Sequence, residues 1–167
     1  SDVCSSDLKA KAADQAKTIK ERIAKITDIF STFKNPDKET ILTSWRTVNR
    51  HIVDTLGGEC FFDENFEYAL LENENTRYVE CKKEGIKPIL NHNSKVLEIN
   101  SKSGLYPLLV AFTIYRQKVK EWRATKNIIL TKNIHFELWQ QTLNENIFVI
   151  AKTPMAKSIT ERTLRAT

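Results

Sequence analysis

A chain of 167 residues, 41% hydrophobic and 28% charged, is long enough for one domain with a real core and too evenly mixed for a disordered or fibrous class. Its 26 basic against 21 acidic residues leave a formal charge of +5, which permits contact with nucleic acid without establishing it. The longest apolar run, around 105–115, is interrupted by Pro107 and Thr113 and is too short to span a bilayer, so neither a membrane span nor a signal peptide is predicted.

The charge is unevenly spread, with basic ends and an acidic middle from Glu59 to Glu84. Cys4, Cys60 and Cys81 are far apart, odd in number and free of any C-x-x-C spacing, which points to a reducing, cytoplasmic setting and against a disulfide framework. His51, His92 and His135 are equally scattered, so no metal site is predicted.

In chain order, residues 1–8 show no periodicity and look like the translation of a sequencing-library adapter; they are expected to be a non-native scar on a fragment. Residues 9–58 read as a helical region. One long helix is predicted from Lys9 to Phe33 on the heptad-like stripe Ala12, Ala16, Ile19, Ile23, Ile26, Phe30 and Phe33. Asn35-Pro36-Asp37 should break it. A second helix is predicted from Lys38 or Glu39 to Leu56, burying Ile41, Leu42, Trp45, Val48, Ile52, Val53 and Leu56, with Gly57-Gly58 as its stop.

Residues 59–93 are acidic, Asn-rich and weakly periodic, and read as a connecting segment with a possible helix at Glu64–Leu71 and a loop around Lys82–Asn93. Residues 94–167 carry the clearest pattern. A strand is predicted at Lys95–Asn100, a tight turn at Ser101–Gly104 with Ser103 as a candidate cap, and then an amphipathic helix from Leu105 to about Trp122 with Pro107 in its first turn. A further helix at about Ile134–Asn144 leads to Ile147–Ala151, apolar and short as a doubly buried parallel strand should be. Thr153-Pro154 should open a last helix with Met155, Ile159 and Leu164 turned inward. The predicted class is therefore α/β and helix-rich, with long N-terminal helices ahead of an incomplete Rossmann-like βαβα unit.

A strand ending in a carboxylate, Glu98, followed by a turn with Gly104 and a helix N-terminus, allows a cofactor to approach the backbone closely. The turn holds a single glycine, so neither G-x-G-x-x-G nor a G-x-x-x-x-G-K-[ST] phosphate loop is matched. Spacing alone favours an ordinary strand-to-helix turn without a ligand.

Three blocks shift that balance: Asn49-Arg50-His51-Ile52-Val53-Asp54-Thr55-Leu56-Gly57-Gly58, then residues 95–107, then residues 145–160 running through Ile147-Phe148-Val149-Ile150-Ala151-Lys152-Thr153-Pro154. In this order they resemble the adenine-specific DNA methylase domain of Eco57I-type restriction-modification proteins, and the resemblance covers about residues 9–167. It implies S-adenosylmethionine as cofactor, methyl transfer to N6 of adenine in double-stranded DNA, and a possible fused or partner endonuclease or helicase. By position, Glu98 and Gly104 would be the main cofactor-binding residues, with Asn100, Ser101, Lys102, Ser103 and Tyr106 as further pocket residues.

Two departures from the family pattern are visible. Ala151, Lys152 and Thr153 stand before Pro154, where a carboxylate would hold the cofactor ribose. The Asn-Pro-Pro-aromatic catalytic motif, which holds a flipped adenine, is absent; Asn35-Pro36-Asp37 lacks the second proline and the aromatic residue. No catalytic residue is therefore assigned, and this stretch alone is expected not to methylate DNA. The competing expectation is a non-catalytic DNA-binding or domain-packing helical module, with Arg46 and Arg50 on one helical face either touching phosphate or pairing with nearby acids.

Overall fold

A computed structural model of the protein describes residues 2–32, 43–70, 76–81 and 89–165, with the backbone alone for 2–6 and 31–32. Two helices, α1 (Asp2–Asp14) and α2 (Ile19–Thr32), replace the one predicted from Lys9 to Phe33, and α1 already begins at Asp2, within the stretch 1–8 expected to lie outside the fold. The break has a local cause. Thr18 Oγ1 accepts from the Glu21 N–H at 3.0 Å while Glu21 Oε2 accepts from the Lys17 N–H at 2.9 Å, a reciprocal cap that starts a new helix at Ile19. The chain then folds back so that α1 packs on α2, burying Ala13, Ile19, Ile23 and Ile26, while Ala12 of the predicted stripe faces solvent. The predicted break at Asn35-Pro36-Asp37 and the predicted start at Lys38 or Glu39 lie outside the described residues.

The helix α3 (Trp45–Thr55) begins at Ser44, whose hydroxyl accepts from the Thr47 N–H at 3.4 Å, and it buries Val48, Asn49, Ile52 and Val53. Gly57, at φ +75°, ends it as predicted, a backbone conformation that glycine adopts without steric cost. The chain then enters β1 (Gly58–Cys60), which pairs antiparallel with β2 (Arg77–Val79), with Glu59 opposite Tyr78.

The predicted helix at Glu64–Leu71 does not form over the described residues to Leu70. Asp63 Oδ1 accepts from the N–H groups of both Glu67 and Tyr68 at 2.8 Å, holding a compact turn that brings Ala69 back opposite Phe62. Cys60, Phe61 and Phe62 are buried, so this acidic stretch contributes directly to the core. Of the predicted loop at Lys82–Asn93, residues 82–88 lie outside the described residues.

The predicted parallel strands are present but short. In β3 (Val96–Glu98) and β4 (Ile147–Val149), Val96 faces Ile147 and Glu98 faces Val149. Backbone bonds from Ile150 N–H to Glu98 O (2.8 Å) and from Ser101 N–H to Ile150 O (3.1 Å) carry the pairing past the strand ends. The connection runs through α4 (Leu105–Lys126) and α5 (Lys132–Asn146), and α6 (Pro154–Leu164) follows β4. The described residues thus form a helix-rich α/β protein with two two-stranded sheets.

Neither strand is doubly buried, which for β4 is contrary to expectation. One face packs on α4, whereas Leu97, Ile99, Phe148 and Ile150 on the other remain exposed, Ile99 at 68%. Alternation in a strand sends successive side chains to opposite faces, and only one face has a layer over it among the described residues.

The central element is α4. Its stretch from Pro107 to Tyr115 is buried on all sides, beyond the single stripe predicted, because α3, α5, α6 and both sheets contact it. Trp139 of α5 and Phe112 of α4 are among the largest fully enclosed side chains. Trp45 packs on Phe61 and Phe62, as core or inter-helix packing predicts.

The start of α6 follows prediction: Thr153 Oγ1 accepts from the Ala156 N–H at 3.1 Å, with Pro154 in first position. Its inward face does not. Met155 is 74% exposed and Ile159 40%, while Thr160 and Thr163 are buried against the turn before α4. Leu164 is half-buried against the core.

Candidate functional site

The carboxyl ends of β3 and β4, the turn 99–104 and the first turn of α4 meet at one place. All seven residues predicted for cofactor contact, Glu98, Asn100, Ser101, Lys102, Ser103, Gly104 and Tyr106, line one cavity of about 190 Å³, together with Thr43 and Val48. A second cavity of about 230 Å³ lies between α3, α4 and the inner face of β3 and β4. Its walls are mainly apolar, from Ile52, Leu56, Val96, Val110 and Ile147. Glu98, Tyr106 and Pro107 belong to both cavities and form the wall between them.

The residues of the turn divide into two groups by what they touch. Ser101 Oγ and Thr160 Oγ1 are hydrogen-bonded at 2.9 Å, and Ser101 is buried. Thr163 Oγ1 donates to the Ser103 carbonyl at 2.8 Å. Gly104 stands at φ +80°, and a Cβ there would lie 3.2 Å from both Thr160 Cα and Thr163 Cβ. The close approach that Gly104 permits is therefore to α6. Gly104 itself occupies the cap position of α4, and Ser103 Oγ accepts from the Leu105 N–H at 3.3 Å, so Ser103 supplies the cap from one residue further back.

Glu98, Asn100, Lys102 and Tyr106 form the second group, whose side chains make no hydrogen bond to α6 among the described residues. The Glu98 carboxylate makes no hydrogen bond or ion pair among the described residues, and burial raises its pKa. The Tyr106 hydroxyl lies 3.4 Å from His51 Nδ1, with the two rings edge to face at 5.8 Å. Burial raises the Tyr106 pKa, and the negative charge of Glu98 adds to the effect. Asn100 and Lys102 are exposed at the polar cavity.

These details limit which ligands suit the corner. A phosphate cradle needs several free N–H groups. In the first turn of α4 the Leu105 N–H is taken by Ser103 and Pro107 has none, which leaves Tyr106. A half-buried acid, an amide and a lysine suit a ligand with an amino-acid-like end and hydroxyl or cationic groups better than a pyrophosphate.

The sequence gives His51 no role at the site, only that of a scattered histidine, although it lies in the first of the three blocks. Nothing in spacing links it to Tyr106, which is 55 positions away. The packing of α3 on α4 makes that link. Arg46 and Arg50 lie on the exposed side of α3. The Arg46 guanidinium lies over the Phe62 ring and donates to the Glu67 carbonyl at 3.2 Å, whereas Arg50 lies over Phe66 and pairs with Asp54 at 3.8 Å.

Among the described residues no helix is long and apolar enough to cross a membrane, and no group of His, Cys, Asp and Glu is arranged to hold a metal ion. Neither a protein-family model, a curated protein nor a solved structure matches the chain.

Proposed function

We propose that this chain supplies the S-adenosylmethionine corner of an adenine-specific DNA methyltransferase of the Eco57I restriction-modification type, acting in the cytoplasm on double-stranded DNA with a fused or partner endonuclease or helicase. The observation that carries this reading is the polar cavity at the carboxyl ends of a parallel strand pair, lined by Glu98, Asn100 and Lys102 at the start of α4. Ligands of open parallel sheets bind in such crevices, which supports a Rossmann-like role for the unit. Within it, Glu98 meets hydroxyl or cationic groups of the cofactor, Asn100 and Lys102 its amino-acid end, and Tyr106 closes one wall. The cofactor would contribute the electrophilic methyl group; adenine capture needs residues this chain does not carry. Calorimetric titration of the chain with S-adenosylmethionine tests the reading. Saturable binding that is lost in Glu98→Ala and weakened in Lys102→Ala is the expected result, and no heat in the wild type would overturn it.

One specific observation favours a second reading, a non-catalytic packing or DNA-binding module. Ser101, Ser103 and Gly104 are engaged by Thr160 and Thr163, so α6 closes the turn in the manner of an ordinary structural corner. DNA affinity that falls steeply with salt, in the absence of cofactor binding, is the outcome that reading requires.

A further inference from the structure

Glu98 lines both cavities with a half-buried carboxylate that makes no hydrogen bond or ion pair among the described residues. An acid so placed is destabilised by lost hydration, and an opposite charge brought beside it relieves that cost. The other groups around it define what kind of charge fits. The Tyr106 ring shares the wall, and Val96, Pro107, Val110 and Ile147 supply apolar surface on the second cavity's side. A hydrated, compact ammonium would lose water there without recovering enough hydrogen bonds. A cation carried on a carbon-rich centre would lose little, and a carboxylate beside an aromatic face is suited to it.

We propose that Glu98 and Tyr106 together form a recognition site for a cationic centre substituted by carbon, a sulfonium or quaternary ammonium group, seated between the polar and apolar cavities. This inference rests on the same site as the proposed function and deepens it: the corner discriminates the charged sulfonium cofactor from the neutral thioether left after methyl transfer. Lys102 faces the polar cavity and His51 the apolar one. The cation is therefore placed at the shared wall, and an anionic end of the same ligand toward Lys102.

Calorimetry on the full chain with S-adenosylmethionine, S-adenosylhomocysteine and choline chloride separates the outcomes. The wild type is expected to bind S-adenosylmethionine about tenfold or more tightly than the thioether, the order of one partly desolvated charge contact. Glu98→Gln, checked for folding by circular dichroism, is expected to remove that preference, so that S-adenosylmethionine binds no more tightly than the thioether. Because the wild-type preference is itself a readout, the test stands even if the variant fails to fold. Equal binding of both adenosyl compounds by the wild type, or a preference retained in Glu98→Gln, overturns the cation site and leaves the proposed function intact. Glu98-dependent binding of choline with neither adenosyl compound bound upholds the cation site and overturns the methyltransferase reading. Failure of all three probes to bind overturns both.

Discussion

Arg22 of α2 donates through Nη2 to the carbonyl oxygen of Arg162 at 2.7 Å, joining the N-terminal helix pair to the last turn of α6. Arg22 is only 5% exposed, its Nε donates to the Arg165 carbonyl, and Asp14 of α1 lies 3.8 Å from its Nη1. Trp139 Nε1 donates to the neighbouring Leu164 carbonyl at 3.2 Å. A buried cation thus sits at the carboxyl end of α6, where the orphan carbonyls and the helix dipole both favour it. Burial lowers the pKa of Arg22, against the stabilising charge of Asp14, yet guanidinium stays charged throughout the accessible pH range.

Replacing Arg22 should therefore loosen α6 as well as α2. Arg22→Met is expected to destabilise the chain by about 2–4 kcal/mol, since it removes charged hydrogen bonds and leaves partly buried carbonyls unpaired. Arg22→Lys should recover only part of this, because an ammonium cannot reproduce the fork. Urea unfolding followed by circular dichroism measures both. A change within 0.5 kcal/mol, the range of about an ordinary surface substitution, would show that α6 is held by other contacts.

Asn49 performs a similar task inside the core. It is fully buried, donates through Nδ2 to the Glu59 carbonyl at 3.0 Å, and accepts through Oδ1 from the Phe61 N–H at 2.8 Å. Asn49→Leu orphans both backbone groups and is expected to cost about 2–5 kcal/mol. Amide exchange at Phe61 should accelerate in this variant before exchange in α5 does, a regional pattern readable by mass spectrometry.

The left-handed backbone at Gly104 makes a third case. Gly104→Ala should cost about 1–3 kcal/mol from the positive φ and from crowding against Thr160. Shortening the neighbours in Gly104→Ala/Thr163→Ser should return little, since the nearest contact includes the Thr160 backbone and the φ strain remains. Thermal melts of the single and double variants test this, and full rescue would place the whole cost in side-chain crowding.

His135 should make stability depend on pH. Its Nδ1 is hydrogen-bonded at 2.6 Å to the hydroxyl of Tyr115, whose own pKa burial pushes up to about 12. Burial lowers the His135 pKa, with Arg123 and Arg116 adding to the effect. The unfolded state, with a histidine pKa of about 6.5, then binds the proton more readily than the folded one. Stability from this group is complete above that value, falls as pH drops through it, and levels off below the folded pKa. His135→Gln should flatten the dependence of melting temperature on pH between about 5 and 7. An unchanged slope would assign it to other groups.

Where local chemistry decides, the sequence reads clearly. Thr153-Pro154 marks the start of α6, Gly57 the end of α3, and the apolar runs at 96–98 and 147–149 the parallel strand pair. The reciprocal cap of Thr18 and Glu21 is also local, but the continuous apolar stripe across it predicts a single helix. The acidic stretch after Gly58 misleads for a different reason. Its strand β1 and the buried Phe61 and Phe62 are stabilised by Asn49 of the preceding helix and by β2 and Thr113 further along the chain, so weak local periodicity says little about it.

By itself the sequence determines a helix-rich α/β chain and gathers most of the corner at 98–106, because those residues are neighbours along the backbone and a strand, turn and helix start leave them little freedom. Only the tertiary structure decides what each does there. The packing of α6 commits Ser101, Ser103 and Gly104 to Thr160 and Thr163, and the packing of α3 brings His51 to Tyr106. Glu98 stands between two cavities with no hydrogen-bond or ion-pair partner among the described residues. Hydrogen-bond satisfaction and burial depend on residues some 50 to 60 positions apart, and those distances are set by helix packing that no local pattern encodes.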